Sequence, residues 1–147
     1  MSNTENKKNA ELSTAHFDVT FKVFGEPASK ANSRRIVKFG NRIASIKSLK
    51  ALSYADVFAV QCHSQMNGIV PTEDLVQVEM IIYYASRRPD LDESLILDCM
   101  QGLVYVNDRQ VRKKIIYWGL DKANPRTIIR VSTLDSNVPK HLCIIDT

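Results

Sequence analysis

The segment from Leu75 to Tyr84 constrains this chain more than any other. Val76, Val78, Met80, Ile82 and Tyr84 recur with a period of two, and Ile81 and Tyr83 make its second half apolar on both faces. Successive strand side chains point to opposite faces, so a segment apolar on both must be covered on both. It is expected to be the central strand of an open sheet. Its C-terminal end runs into Arg87-Arg88-Pro89-Asp90-Leu91-Asp92, and open sheets place their sites beyond such strand ends.

The other elements arrange themselves around that strand. Phe17, Val19, Phe21 and Val23 alternate with Asp18, Thr20 and Lys22, the period of a half-buried strand that stops at Gly25-Glu26-Pro27. Ile36–Phe39 and Arg42–Ile46 flank Gly40-Asn41, a two-residue hairpin signal. From Ser48 to Met66 nothing breaks a helix, and Leu49, Leu52, Ala55, Ala59 and Val60, widened by Val57 and Phe58, form the expected apolar stripe. Asn67-Gly68 is its stop. A short helix is expected over Asp92 to Gln101, ended by Gly102, then a short strand over Leu103 to Val106. Strands over Val111 to Trp118 and Arg126 to Val131 follow, the second after the Asn124-Pro125 turn. The fold class expected is α/β (α+β), a mixed sheet with helices packed on it. Residues 1–14 read as a disordered leader, 15–134 as one domain, and 135–147 as a tail with no assignable task.

No apolar run approaches a membrane span, and the N-terminus lacks a signal core, so a cytoplasmic protein is expected. Cys62, Cys99 and Cys143 are isolated, and His16, His63 and His141 have no ligand spacing, which argues against disulfide or zinc frameworks. The adjacent Cys62-His63 pair reads as packing and surface, not as a catalytic dyad. The net charge is only +4, but it is unevenly placed. Lys30, Arg34, Arg35, Lys38, Arg42, Lys47 and Lys50 have no acid among them, and Arg109, Arg112, Lys113 and Lys114 meet none until Asp121. Such segments suit a polyanion or, more blandly, a solvated basic face. The small, polar stretch from Ala28 to Arg35 suits close approach to a phosphate backbone.

Between these basic segments lie the acids. Pro89 biases its neighbour toward extended backbone, and residues i and i+2 of an extended segment share a side, so Asp90 and Asp92 can aim at one point. Two carboxylates so placed repel unless a cation joins them or one holds a proton. With no thiolate or imidazole nearby in sequence, Mg²⁺ or Mn²⁺ suits them better than zinc. The alternative is structural: Asp92 and Glu93 charging a helix start, and Asn107-Asp108 forming a turn.

Pro89-Asp90-Leu91-Asp92, the short helix carrying Leu97-Asp98, Gly102, and Val104-Tyr105-Val106-Asn107-Asp108-Arg109-Gln110 together resemble the core of RusA-type Holliday-junction resolvases. In that family the pattern is Asp-Leu-Asp, a short helix, Gly, a hydrophobic strand and Asp-Asp-x-Gln. The resemblance implies that Asp90, Asp92 and Asp108 are the catalytic carboxylates and bind Mg²⁺, with Mn²⁺ as a substitute. It also implies a homodimer cutting four-way DNA junctions, a bacterial or phage-encoded chain, and a DNA surface near Pro27, Asn32 and Arg34. With the basic segments, the expected DNA-binding set is Lys30, Asn32, Arg34, Arg35, Lys38, Arg42, Arg88 and Arg109. Asp98 is expected to be a subsidiary acid.

The chain departs from the family pattern at Glu93, where Asn is usual, at Asn107, where Asp is usual, and in a helix about two residues shorter. The family's helix lysine has no counterpart: its place falls on Ile96 counted forward and on Ser94 counted back. Arg88, Arg109 and Lys113 are candidates for its role. The expected activity is a Mg²⁺-dependent, structure-selective endodeoxyribonuclease for Holliday junctions in recombination and repair. The alternatives are a catalytically impaired branched-DNA-binding protein of the same fold, or a partner-binding α/β domain without a DNA role.

Overall fold

The computed structural model describes residues 16–87 and 90–143, with Lys30 described in its backbone alone. The expected leader, Arg88 and Pro89, and the end of the tail lie outside the described residues.

Strand β1 (Asp18–Phe24) buries Val19, Phe21 and Val23 and exposes the residues between them. A single 3₁₀ turn (Lys30–Asn32) leads into a separate two-stranded ribbon, β2 (Arg34–Phe39) and β3 (Arg42–Lys47). Gly40 at the ribbon's tip has φ +58°, the positive value that a type II′ turn requires at its first central residue. Helix α1 (Leu49–Met66) is capped by Ser48, whose hydroxyl accepts from the Ala51 N–H at 3.2 Å and donates to the Asn32 carbonyl at 2.6 Å. At its other end Asn67 takes the left-handed conformation.

Four strands make the main sheet in the order β1-β6-β4-β5, where β4 is Val76–Tyr84, β5 Val111–Leu120 and β6 Arg126–Thr133. β6 is antiparallel to both β1 and β4, whereas β4 and β5 are parallel. The expected central strand is therefore flanked on both sides, and Val76, Val78, Met80, Ile82 and Tyr84 are all buried while Ile81 and Tyr83 are half-buried. A mixed sheet with helices packed on it is the architecture expected from the sequence. Tyr83 also lies across Gly119 of β5, where an added Cβ would stand 2.6 Å from its ring, and the Arg126 guanidinium covers that ring at 4.1 Å.

α1 packs against β1, with Phe58 edge-on to Phe21 at 5.9 Å between centroids. Its buried face is Ala51, Tyr54, Phe58, Cys62 and Met66, not the expected stripe: Leu49, Leu52, Val57 and Val60 are exposed. Both stripes have helical spacing, but only the observed one brings two aromatic rings to the sheet, and aromatic burial dominates the choice. Beyond packing, α1 also satisfies the outer edge of β1. Gln65 exchanges two hydrogen bonds with the backbone of Lys22, at 2.7 and 3.0 Å, and Gln61 two with Phe24, at 2.9 and 3.1 Å.

A second correction concerns Leu103 to Val106, which is a turn and not a strand; its only pairings are isolated bridges from Tyr105 to Thr72 and Gln101. The backbone of this apolar run is instead held to the loop before β4, with the Thr72 N–H donating to the Val104 carbonyl at 3.0 Å and the Val106 N–H to the Thr72 carbonyl at 3.3 Å. It is buried by other means: Val104 and Tyr105 are fully enclosed, and the Tyr105 hydroxyl donates to the Leu97 carbonyl at 2.6 Å. Among the described residues no helix is long and apolar enough to cross a membrane.

Candidate active site

Parallel neighbours cannot be joined by a hairpin, so β4 and β5 need a crossover. That crossover, residues 85–110, carries all three expected metal ligands. Its helix α2 (Ser94–Met100) starts two residues later than expected and buries Leu95, Ile96 and Met100 against the core. Asp92 stays outside the helix, and its Oδ1 accepts from both the N–H and the hydroxyl of Ser94, at 3.0 and 2.7 Å. The Asp92 N–H donates to the Tyr84 hydroxyl at 3.3 Å, tying it to the end of β4. Asp90 is half-buried.

Asp108 is presented at the other end of α2. A 3₁₀ turn (Asp108–Gln110) is locked by a capping box, in which Asn107 Oδ1 accepts from the Arg109 N–H at 2.9 Å and Gln110 Oε1 from the Asn107 N–H at 2.8 Å. The Gln110 amide then donates to the Thr72 and Asp74 carbonyls, both at 2.8 Å, fixing the turn to the loop before β4. Asn107, where the resembled pattern has an acid, thus works as a cap. Gln101 links the turn to α2: its Oε1 accepts from the Asp108 N–H at 3.1 Å and its amide reaches Asp98 Oδ1 at 3.4 Å.

Asp92 precedes the seven-residue helix α2, and the Asp108 backbone is tied to Gln101 just after it. Among the described residues no group of three His, Cys, Asp or Glu side chains is placed to hold a metal ion. The donor chemistry nevertheless suits a hard cation, since every acid in the crossover offers carboxylate oxygen. Mg²⁺ in particular is commonly held by one or two carboxylates and completes its shell with water and substrate phosphate.

Asp98, expected to be subsidiary, stands closer to the rest than its spacing suggested. Lys47 of β3 brings its ammonium to 4.0 Å from Asp98 Oδ2. Ser33, Arg34 and Lys47 at the base of the ribbon and Ser94, Leu95 and Asp98 on α2 line one cleft of about 170 Å³. Of the two positions matching the missing helix lysine, Ile96 is fully buried and Ser94 opens into this cleft, where Lys47 supplies a cation. Lys47 was legible only as one of the ribbon's basic residues and Gln101 only as a helix end, because Asp98 and Asp108, which they meet, lie on other elements or beyond the turn. Burial raises the Tyr105 phenol, with Asp108 and Asp98 adding to the effect. Burial likewise pushes the Cys99 thiol on α2 up to about 11, against the pull of Lys47.

The expected DNA-binding residues divide. Arg35, Lys38 and Arg42 lie exposed on the ribbon, and Asn32 is exposed at its base. Arg34, also exposed, binds Ser45 through its Oγ at 3.1 Å and its carbonyl at 2.7 Å. Arg109 is exposed beside Asp108, whereas Arg88 and the Lys30 side chain are outside the described residues. Lys113 and Lys114 are engaged with Asp135 at 3.2 Å and Glu93 at 2.8 Å, so Glu93 serves an ion pair. Tyr117 and Trp118 are exposed on β5, while Tyr105 belongs to the core.

A model of the family described as endodeoxyribonuclease RusA matches residues 25–132, a span containing every residue of this site. No curated protein matches the chain.

Proposed function

The chain belongs to the RusA endodeoxyribonuclease family, and from that premise we propose that it is a Mg²⁺-dependent, structure-selective endonuclease resolving four-way DNA junctions in recombination and repair. The observation that carries the reading is the cleft in which the cationic base of the ribbon meets the acid-bearing crossover. Phosphodiester hydrolysis needs carboxylates for a divalent ion, and a polyanion approaches carboxylates only where cations offset the repulsion. Both are supplied here by elements that touch.

In this reading Asp90, Asp92 and Asp108 hold Mg²⁺, or Mn²⁺ in its place. When bound, the ion acidifies water and neutralises charge developing on the phosphate. Lys47 and Arg34 fix a backbone phosphate over the cleft, and Lys47 takes the part of the family's helix lysine. Asn32, Arg35, Lys38, Arg42 and Arg109, with Lys30 and Arg88, extend the contact along the DNA. A junction of near-twofold symmetry needs two opposed cuts, which a homodimer provides. The nuclease domain is taken as residues 15–134, acting in the cytoplasm of a bacterial or phage-infected cell.

A labelled synthetic four-way junction incubated with and without Mg²⁺ at low salt tests this reading. Paired nicks with 5′ phosphates, abolished by EDTA and by Asp90→Asn, are expected; cleavage persisting in excess chelator would refute it. The missing helix lysine and the shortness of α2 favour a second reading, a branched-DNA-binding protein with impaired catalysis. Junction binding without cleavage at any Mg²⁺ or Mn²⁺ concentration would select it.

A further inference from the structure

The β2–β3 ribbon is not hydrogen-bonded to the main sheet, and an isolated hairpin is marginal unless its apolar residues are buried. Here they are not. Ile36 is 78% exposed, Phe39 62% and Ile43 73%; Phe39 and Ile43 lie beside the turn, on opposite faces, and Ile36 lies nearer the base on the face of Ile43. The ribbon is instead held at its base, where the Ser48 N–H donates to the Ser33 carbonyl at 2.9 Å and Lys47 meets Asp98. The tip gains nothing for the fold by being apolar.

The strand register shows what surrounds these side chains. Phe39 stands opposite Arg42 across the turn, and Ile43 opposite Lys38. Ile36 shares the face of Lys38 and Arg34, and no acid occurs anywhere between Lys30 and Lys50. An exposed apolar patch marks a contact surface. One whose every apolar member is flanked by cations fits a ligand that is anionic outside and apolar within. Duplex DNA at a branch is such a ligand, its phosphates outside and its stacked bases within.

We infer that this ribbon is a wedge: Arg34 and Lys47 seat it on a backbone phosphate at the cleft, while Phe39 at its tip enters the base stack at the branch point, with Ile36 and Ile43 presented on the ribbon's other face. β2 has six residues, so its tip reaches about 17 Å from the cleft, or about five base steps at ~3.4 Å each. Apolar side chains inserted at base steps unstack and kink DNA. The cost is lowest where stacking is already interrupted, so a wedge discriminates a branch from continuous duplex. The inference rests on the junction-cleaving reading above and adds how a branch is told from linear DNA.

Junctions carrying 2-aminopurine beside the branch test it, because that base brightens when unstacked. Wild-type protein is expected to raise the emission on binding. Phe39→Ala is expected to abolish the rise and weaken junction binding about tenfold, the loss of one base–aromatic stack, with linear-duplex affinity and melting temperature unchanged. Phe39→Trp is expected to restore both. If wild type binds and cuts the junction but no emission change depends on Phe39, the wedge fails and the nuclease reading stands. Equal losses on junction and linear duplex would also overturn it. So would unchanged junction behaviour combined with lost binding to anionic phospholipid vesicles, which would assign the tip to a membrane surface. If wild type neither binds nor cuts the junction, both readings fall together.

Discussion

β4 and the β2–β3 ribbon are both strands rich in Ile, Val and aromatic residues, and they have opposite fates. In β4 each alternate side chain is buried, while in the ribbon Ile36, Phe39 and Ile43 face solvent. The difference is not propensity but partners. β4 has a strand on each side and helices over one face, whereas the ribbon strands have only each other. Apolar residues in the first stabilise the fold; in the second they are kept for contact with something outside the chain.

The sharpest way to break that comparison is to truncate one residue in each region. Ile82→Ala in β4 is expected to cost about 2–5 kcal/mol in urea unfolding, whereas Ile43→Ala at the ribbon should fall within about 0.5 kcal/mol. Comparable losses would mean that the ribbon is packed after all. Next in size is the division of labour between crossover and ribbon. Asp92→Asn retains an acceptor for Ser94, so it should unfold like wild type while junction turnover falls by about two orders of magnitude or more. Neutralising Arg34 and Arg35 together should weaken junction binding. It should flatten the slope of log affinity against log salt by about 1.8, two phosphate contacts' worth. An unchanged slope would place the DNA on another surface.

Within the sheet, Gly119→Ala should cost about 1–3 kcal/mol, because the Tyr83 ring must leave its place. A neutral result in thermal melting would show that ring to be loosely held. The smallest effect near neutrality concerns two thiols of the body. Burial pushes Cys62 and Cys99 up to about 11 from an ordinary 9.0. The unfolded chain therefore loses these protons first, so stability should be flat below pH 9 and decline as pH rises toward 11. Replacing both by Ala should remove that part of the decline in melting curves taken between pH 8 and 11.

Much of the fold was legible because the deciding signals are local. The alternation in β4, the Gly40-Asn41 turn and the Ser48 cap each act within a few residues. The face of α1 was not legible: Leu49, Leu52 and Val60 make as good a stripe as Ala51, Tyr54 and Phe58, and only the position of Phe21 on another element decides between them. Leu103 to Val106 looked like a strand, but its backbone is drawn into turns at the end of α2, where the Leu103 and Val104 N–H groups donate to the Met100 carbonyl. At the site, the acids were readable as residues, and the crossover that carries all three was not, since it depends on the parallel pairing of β4 with β5. The meeting of Lys47 with Asp98 was hidden for the same reason.

The glutamine pairs between α1 and β1 carry one more implication. An open sheet has two margins at which a foreign strand can dock, and unguarded margins invite aggregation. Gln61 and Gln65 present their amides to β1 much as a neighbouring backbone would, so that margin is already spoken for. Self-association by strand addition to this sheet is thereby steered toward β5. Replacing both glutamines would leave two margins for docking instead of one.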